Sequence, residues 1–221
     1  MKITALGEGG KPVDWWFIYK VPKLTQNAST DNATGYEYAY FDANADKVVK
    51  SPYRLDQGKG ALNLTLNSVF AGPAPTTGWI LYNDEKPPSA PGPDDSSLGH
   101  TKGVIAFDAA SETAFWLLHS WPKYAARGAP AMPTPMYGQT FLCISLDIAT
   151  ANQIATKMST LQQPQCYLPQ ADCLGKSGGL YALTQPLPPS PPADAEMVTY
   201  KSIGGMDFRV LAKTQIGRAH V

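Results

Sequence analysis

The chain has 221 residues, of which 43% are hydrophobic and only 16% are charged. This balance excludes a disordered polypeptide, because chains that stay unfolded are poorer in apolar residues and richer in charge. Its 18 Lys and Arg residues equal its 18 Asp and Glu residues, so any site for a polyanion must be local or develop at lower pH.

The amino-terminal third predicts two strands and a helix. Residues 13–21 are dense in aromatic and β-branched side chains and stop at Pro22, which is typical of a buried strand. Residues 36–41 carry tyrosine at every second position, which places three rings on one face of a second strand. Apolar residues recur at i, i+4, i+7 and i+8 within residues 60–70, and this spacing predicts an amphipathic helix.

The middle of the chain predicts four further strands and a second helix. Residues 108–112 have the length of a hairpin turn, and residues 85–99 contain four prolines and predict a surface loop. Apolar residues at helical spacing predict a helix over 148–162, packed on the sheet. Four further strands are predicted at residues 79–82, 102–108, 113–119 and 137–146.

The last part of the chain predicts a change of domain. The first lobe is predicted to span residues 1–185. A proline-rich stretch then predicts a stiff, extended connector over 186–195. A strand at 206–212 belongs to the start of a second, truncated lobe over 196–215. Residues 216–221 fit no preceding element and match the translation of a common sequencing adapter, so we expect them to be a sequencing or cloning artefact.

His100 and Lys102 form the densest group of reactive side chains in the sequence. They open a predicted strand, in which residues i and i+2 face the same side. An imidazole can attack phosphorus or protonate a leaving oxygen, and an adjacent ammonium can hold the non-bridging oxygens. The pair predicts phosphoryl transfer. A surface histidine and a solvated lysine at a strand edge would give the same pattern, which also arises by chance.

Seven blocks follow one another in order between about residue 6 and residue 215. Together they resemble the deoxyribonuclease II family, and the chain looks like the amino-terminal half of such an enzyme. The blocks are Val13-Asp-Trp-Trp, Gly35-Tyr-Glu-Tyr, Leu81-Tyr-Asn-Asp84, His100-Thr-Lys-Gly-Val, Ala114-Phe-Trp-Leu-Leu-His-Ser, Tyr137-Gly-Gln-Thr-Phe-Leu-Cys and Phe208-Arg-Val-Leu-Ala-Lys.

The resemblance implies a fold similar to the phospholipase D superfamily: an α/β lobe with a mixed β-sheet flanked by helices and rich in loops. Two such lobes each supply one His-x-Lys motif and grip double-stranded DNA. The implied reaction uses no metal or other cofactor, favours acid pH and leaves 3′-phosphate ends. One histidine forms a phosphohistidine and the other is the general acid.

The resemblance also assigns residues. His100, Lys102 and His119 are the predicted catalytic residues, with His119 contacting phosphate or supporting His100. A hydrogen-bonded histidine at a strand end is the structural alternative for His119. Asp108 lies one residue later than the superfamily pattern places an aspartate, and no catalytic role is assigned to it. The acid preference is expected because both histidines gain charge between about pH 7 and pH 5.

The chain contains no second His-x-Lys motif. We therefore expect it to be inactive alone and to need the missing second lobe or a second copy. The alternative function is a non-catalytic lobe that binds nucleic acid or a protein partner. Its basic stretch would be Lys47, Lys50, Arg54 and Lys59. A phospholipid substrate is disfavoured, because no amphipathic membrane-surface helix is predicted.

The sequence constrains the cell compartment only weakly. No apolar run approaches the roughly 18 residues of a membrane helix, and the amino terminus lacks the apolar stretch of a secretory signal. As it stands the chain is predicted to be cytoplasmic, whereas the family it resembles is lysosomal or secreted.

Overall fold

The computed structural model describes residues 2–24, 33–95, 97–127, 133, 135–187 and 194–214. Within them a π-helical turn, Met158–Gln162, continues the second α-helix. The strands and α-helices, in chain order, are β1 (Trp15–Lys20), β2 (Glu37–Asp42), β3 (Val49–Arg54), α1 (Gly60–Phe70), β4 (Thr77–Asn83), β5 (Lys102–Asp108), β6 (Thr113–His119), β7 (Gln139–Asp147), α2 (Ile148–Lys157), β8 (Cys166–Gln170), α3 (Gly178–Ala182), β9 (Ala195–Lys201) and β10 (Asp207–Lys213).

Eight strands form one sheet in the order β3-β2-β1-β7-β6-β5-β4-β8. Each neighbouring pair is antiparallel. An isolated parallel bridge joins Gly99 to Pro164 outside these strands. The prediction of a loop-rich α/β lobe with a large sheet and flanking helices is confirmed.

Apolar side chains cover both faces of the sheet. Trp79 and Leu81 of β4 belong to a core shared with α1, whereas Ile80 and Tyr82 belong to a second core shared with α2 and α3. This follows from the alternation of side chains along a strand. The neighbouring strands β4 and β5 are therefore buried along their whole length, which fixes the position of the residues at their ends.

The two predicted long helices are confirmed. Helix α1 buries Leu62, Leu66 and Val69 against the sheet, and each such side chain contributes about 1.5–3 kcal/mol of burial free energy. Asp147 is the N-cap of helix α2, and its carboxylate accepts a hydrogen bond from Thr150 N at 2.6 Å. Among the described helices, none has both the length and the apolar character needed to cross a membrane.

Three strands and the short helix α3 are absent from the sequence prediction. Strand β3 has few apolar residues and contains Pro52. Proline is tolerated there because β3 lies at the edge of the sheet. Strand β8 has five residues and forms the opposite edge, so neither strand carries the buried alternating pattern that predicted the others.

The β9–β10 hairpin packs on the α2 side of the sheet. Val198, Tyr200 and Phe208 join that core, and the backbone N of Gly204 at the hairpin tip donates to Asp14 at 2.6 Å. The predicted strand at 206–212 is confirmed as β10. The division into two lobes remains a prediction, and residues 188–193 of the connector and 215–221 lie outside the described residues.

Candidate active site

His100 and Lys102 meet at one carboxylate. The β4–β5 register pairs Asn83 with Lys102, so the chain leaves β4 at Asp84 next to the start of β5. Asp84 Oδ1 accepts a hydrogen bond from Lys102 Nζ, and Oδ2 pairs with His100 Nδ1. The structure thus brings His100 and Lys102 together, as their spacing predicts, and adds a third residue between them.

The three side chains differ in exposure. His100 is 66% exposed, while Lys102 and Asp84 are 6% and 11% exposed. Because Nδ1 of His100 faces a carboxylate oxygen, it carries the proton in the neutral imidazole, which leaves the lone pair on Nε2. The Nε2 atom of this exposed ring is free of that ion pair, and the ammonium of Lys102 contacts the same carboxylate.

Asp84 is the site residue that the sequence prediction does not assign. It lies within the Leu81-Tyr-Asn-Asp84 block, directly after an apolar strand. A polar residue at the end of a buried strand is a recognisable signal, but its partner depends on which strand lies alongside. Only the antiparallel pairing of β4 with β5 shows that Asp84 reaches the His-x-Lys motif.

His119 lies at the end of β6 in an apolar setting. The β5–β6 register pairs Gly103 with Leu118, so His119 and Lys102 are the next residues of the two strands. The His119 ring packs against Tyr124 and Phe141, with centroids 5.3 and 5.7 Å away. Its Nδ1 accepts a hydrogen bond from the backbone N of Trp121 at 3.2 Å.

Burial lowers the pKa of His119 to about 3, and the nearby positive charge of Lys102 contributes in the same direction. The expectation that both histidines gain charge between about pH 7 and pH 5 is therefore wrong for His119. The imidazole stays neutral in that range. The β5–β6 register places it beside Lys102, and its role in contacting phosphate or supporting His100 stays a prediction.

This pKa shift has a consequence for stability. Unfolded His119 binds a proton near its ordinary pKa of 6.5, whereas folded His119 stays neutral down to about pH 3. The unfolded state therefore binds more protons between these values, and stability rises with pH across that window. The slope amounts to about 1.4 kcal/mol per pH unit.

We expect His119→Asn to remove this slope, because the asparagine oxygen can accept the Trp121 N–H bond without titrating. The check is the free energy of unfolding in urea at several pH values between about 4 and 7. A variant that loses stability on acidification as steeply as the wild-type chain would contradict the assignment.

The side chain of Asp108 forms structural hydrogen bonds at the end of β5 that lies away from His100. Asp108 ends β5, six residues from Lys102, which corresponds to about 20 Å along the strand. Its carboxylate accepts hydrogen bonds from Thr76 and Ser111. Burial opposes ionisation, but these hydrogen bonds lower the pKa of Asp108 overall. The carboxylate fastens the β5–β6 turn, far from His100.

The basic stretch lies away from the site. Lys47, Lys50 and Lys59 are exposed, and Arg54 forms an ion pair with Asp56 at 2.7 Å. Strand β3, which carries part of the stretch, lies at the opposite end of the sheet order from β4 and β5. Across the described ranges, no three His, Cys, Asp or Glu side chains converge as ligands for a metal ion.

The sequence matches known proteins over almost its whole length. Residues 4–219 match the family model described as deoxyribonuclease II. A putative deoxyribonuclease-2 of Burkholderia thailandensis is 55% identical over 215 residues, covering 97% of this chain and 61% of that protein. Deoxyribonuclease-2-alpha of Rattus norvegicus is 36% identical over 171 residues, covering 75% of this chain and 47% of that protein.

A more distant relative covers a similar part of the chain. Cell death-related nuclease 6 of Caenorhabditis elegans is 32% identical over 217 residues, covering 93% of this chain and 54% of that protein. The chain therefore spans about half to three fifths of the length of these relatives.

Proposed function

Because this chain belongs to the deoxyribonuclease II family, we propose that it carries the first half of the active site of an acid deoxyribonuclease. The observation that carries this proposal is the Asp84 carboxylate held between His100 and Lys102. Asp84 orients the imidazole, and Lys102 holds positive charge where non-bridging phosphate oxygens gain negative charge. The substrate proposed for the whole protein is double-stranded DNA.

In the proposed first step, the lone pair of His100 Nε2 attacks phosphorus. The P–O5′ bond breaks, its electron pair stays on O5′, and a general acid protonates that oxygen. Water then attacks the phosphohistidine, the N–P bond breaks with its electron pair returning to Nε2, and the former acid takes up the water proton. The products are a 3′-phosphate and a free 5′-hydroxyl, and no step needs a metal ion.

The general acid in this scheme comes from outside the first half-site. A general acid must be protonated at the working pH, and the low pKa of His119 keeps that imidazole neutral at about pH 5. A second lobe or a second copy of the chain is proposed to supply the other histidine. Protonation of that histidine is the proposed source of the expected acid preference, since histidines gain their proton in this range.

A substrate that needs no general acid tests this half-site directly. Thymidine 3′-(4-nitrophenyl phosphate) has a leaving group acidic enough to depart without a proton. At about pH 5 in excess EDTA, we expect the 221-residue chain to release up to one equivalent of nitrophenolate as His100 acquires the nucleotide. The release is read by absorbance after the sample is made basic.

The 5′-isomer of the ester is the matched control, because attack on it cannot give a 3′-phosphate product. We expect little release from that isomer. Equal release from the two isomers would contradict the proposed polarity of cleavage. DNA binding without any release from either ester would instead favour the non-catalytic lobe.

A further inference from the structure

Gln165 lies between the π-helical turn and β8, and its side chain is buried, with 4% exposure. Its Nε2 donates to the backbone oxygens of Asn83 and Asp84, at 3.1 and 3.3 Å. Its backbone oxygen also accepts from Asn83 N at 3.0 Å. Gln165 therefore holds the main chain at the point where it leaves β4 and enters the site.

The same amide holds the far end of the following loop. Gln165 Nε2 also donates to Asp94 Oδ1 at 3.2 Å, and Oε1 accepts from the backbone N of Asp95. The reverse amide orientation would face an oxygen towards three acceptors and an NH₂ group towards an N–H donor, so the hydrogen bonds fix the orientation. Loop 85–95 is thus closed at both ends by one side chain.

The residues just before Gln165 hold the chain next to His100. Gln163 O accepts a hydrogen bond from Gly99 N at 2.8 Å, and Gly99 bridges to Pro164. A Cβ atom at Gly99 would lie 1.7 Å from Gln162 O, so only glycine allows this approach. Segment 162–165 therefore fixes both the Asp84 backbone and the residue before His100.

From these contacts we infer that Gln165 is a positioning residue of the site, acting on His100 through the Asp84 main chain. Because His100 is 66% exposed, packing alone leaves its ring free to turn. The direction of the ring depends on where the Asp84 carboxylate is held. The inference adds a positioning residue to the proposed half-site. Its significance for catalysis rests on the proposed function.

The tautomer of neutral His100 reports this positioning without any cleavage assay. The ¹⁵N chemical shifts of the imidazole nitrogens distinguish an Nδ1–H ring, which Asp84 enforces, from an Nε2–H ring. We expect Nδ1–H to dominate in the wild-type chain. In Gln165→Met, which has similar volume but no amide, we expect Nδ1–H to lose its dominance.

Three comparisons make the result decisive. His119 is an internal reference, because its Nδ1 accepts from Trp121 N and its ring should stay Nε2–H throughout. Gln170→Met makes the same change at an exposed position of β8 and should leave His100 as in the wild type. Gln165→Glu keeps the volume and the acceptor but loses the amide donors, and it replaces Gln165→Met if that variant fails to fold.

A folded Gln165 variant that keeps the wild-type His100 tautomer would overturn the inference. So would a wild-type chain in which Nδ1–H does not dominate. Because the measurement uses no nucleotide, failure of the nitrophenyl ester assay would contradict the proposed nuclease function and leave this result standing.

Discussion

His100→Ala is expected to abolish release of nitrophenolate from the thymidine 3′-ester, with a rate lower by about 10³-fold or more. The reason is that the nucleophile itself is removed, whereas Asp84 and Lys102 keep their buried contact. The 66% exposure of the His100 side chain means that its removal leaves no cavity. The variant should therefore unfold at nearly the wild-type temperature.

Thr101→Ala is a suitable control, because residue 101 lies between the two motif residues, just before β5 begins at Lys102. It should retain release within a few-fold of the wild-type rate. If His100→Ala released nitrophenolate at the rate of Thr101→Ala, His100 would not be the nucleophile.

The largest stability effect is expected at the Asp84–Lys102 pair. Asp84→Ala leaves the ammonium of Lys102, 6% exposed, without its counter-charge. Removing one partner of a buried ion pair costs about 3–5 kcal/mol. Replacing both partners should cost much less, so Asp84→Ala combined with Lys102→Met is expected to recover most of the loss. Urea unfolding of the two single variants and the double variant measures the coupling.

An exposed ion pair in the same chain provides the comparison. Lys157 and Glu196 pair at 2.8 Å with side chains 40% and 43% exposed, and Glu196→Ala should cost less than about 1 kcal/mol. Equal losses in Asp84→Ala and Glu196→Ala would show that burial does not strengthen the site pair. Purely additive losses at Asp84 and Lys102 would show that the pair is not coupled.

Local sequence patterns were sufficient to predict the strands and helices that are buried and regular. Strands β5 and β6 and helix α1 have their predicted boundaries, because each contributes a continuous apolar face to the core. The edge strand β3 gives no such signal. Its exposed Val49 and its Pro52 are typical of a loop. Only the pairing with the neighbouring strand shows that they belong to an edge strand.

Local patterns predict only part of the candidate site as well. The i, i+2 spacing was enough to predict that His100 and Lys102 lie together. Asp84 and Gln165 reach them from 16 and 65 positions away in the sequence, through the pairing of β4 with β5 and with the segment before β8. The environment of His119 likewise depends on packing: burial against Tyr124 and Phe141, which no spacing rule describes, keeps its ring neutral.

The position of the nucleotide adduct tests the central claim most directly. The chain is mixed with thymidine 3′-(4-nitrophenyl phosphate), quenched in base, digested and analysed by mass spectrometry. The expected result is one nucleotide joined through phosphorus to Nε2 of His100, in the peptide that also contains Lys102. An adduct on any other residue, or release of nitrophenolate with no adduct at His100, would contradict the assignment of His100 as the nucleophile.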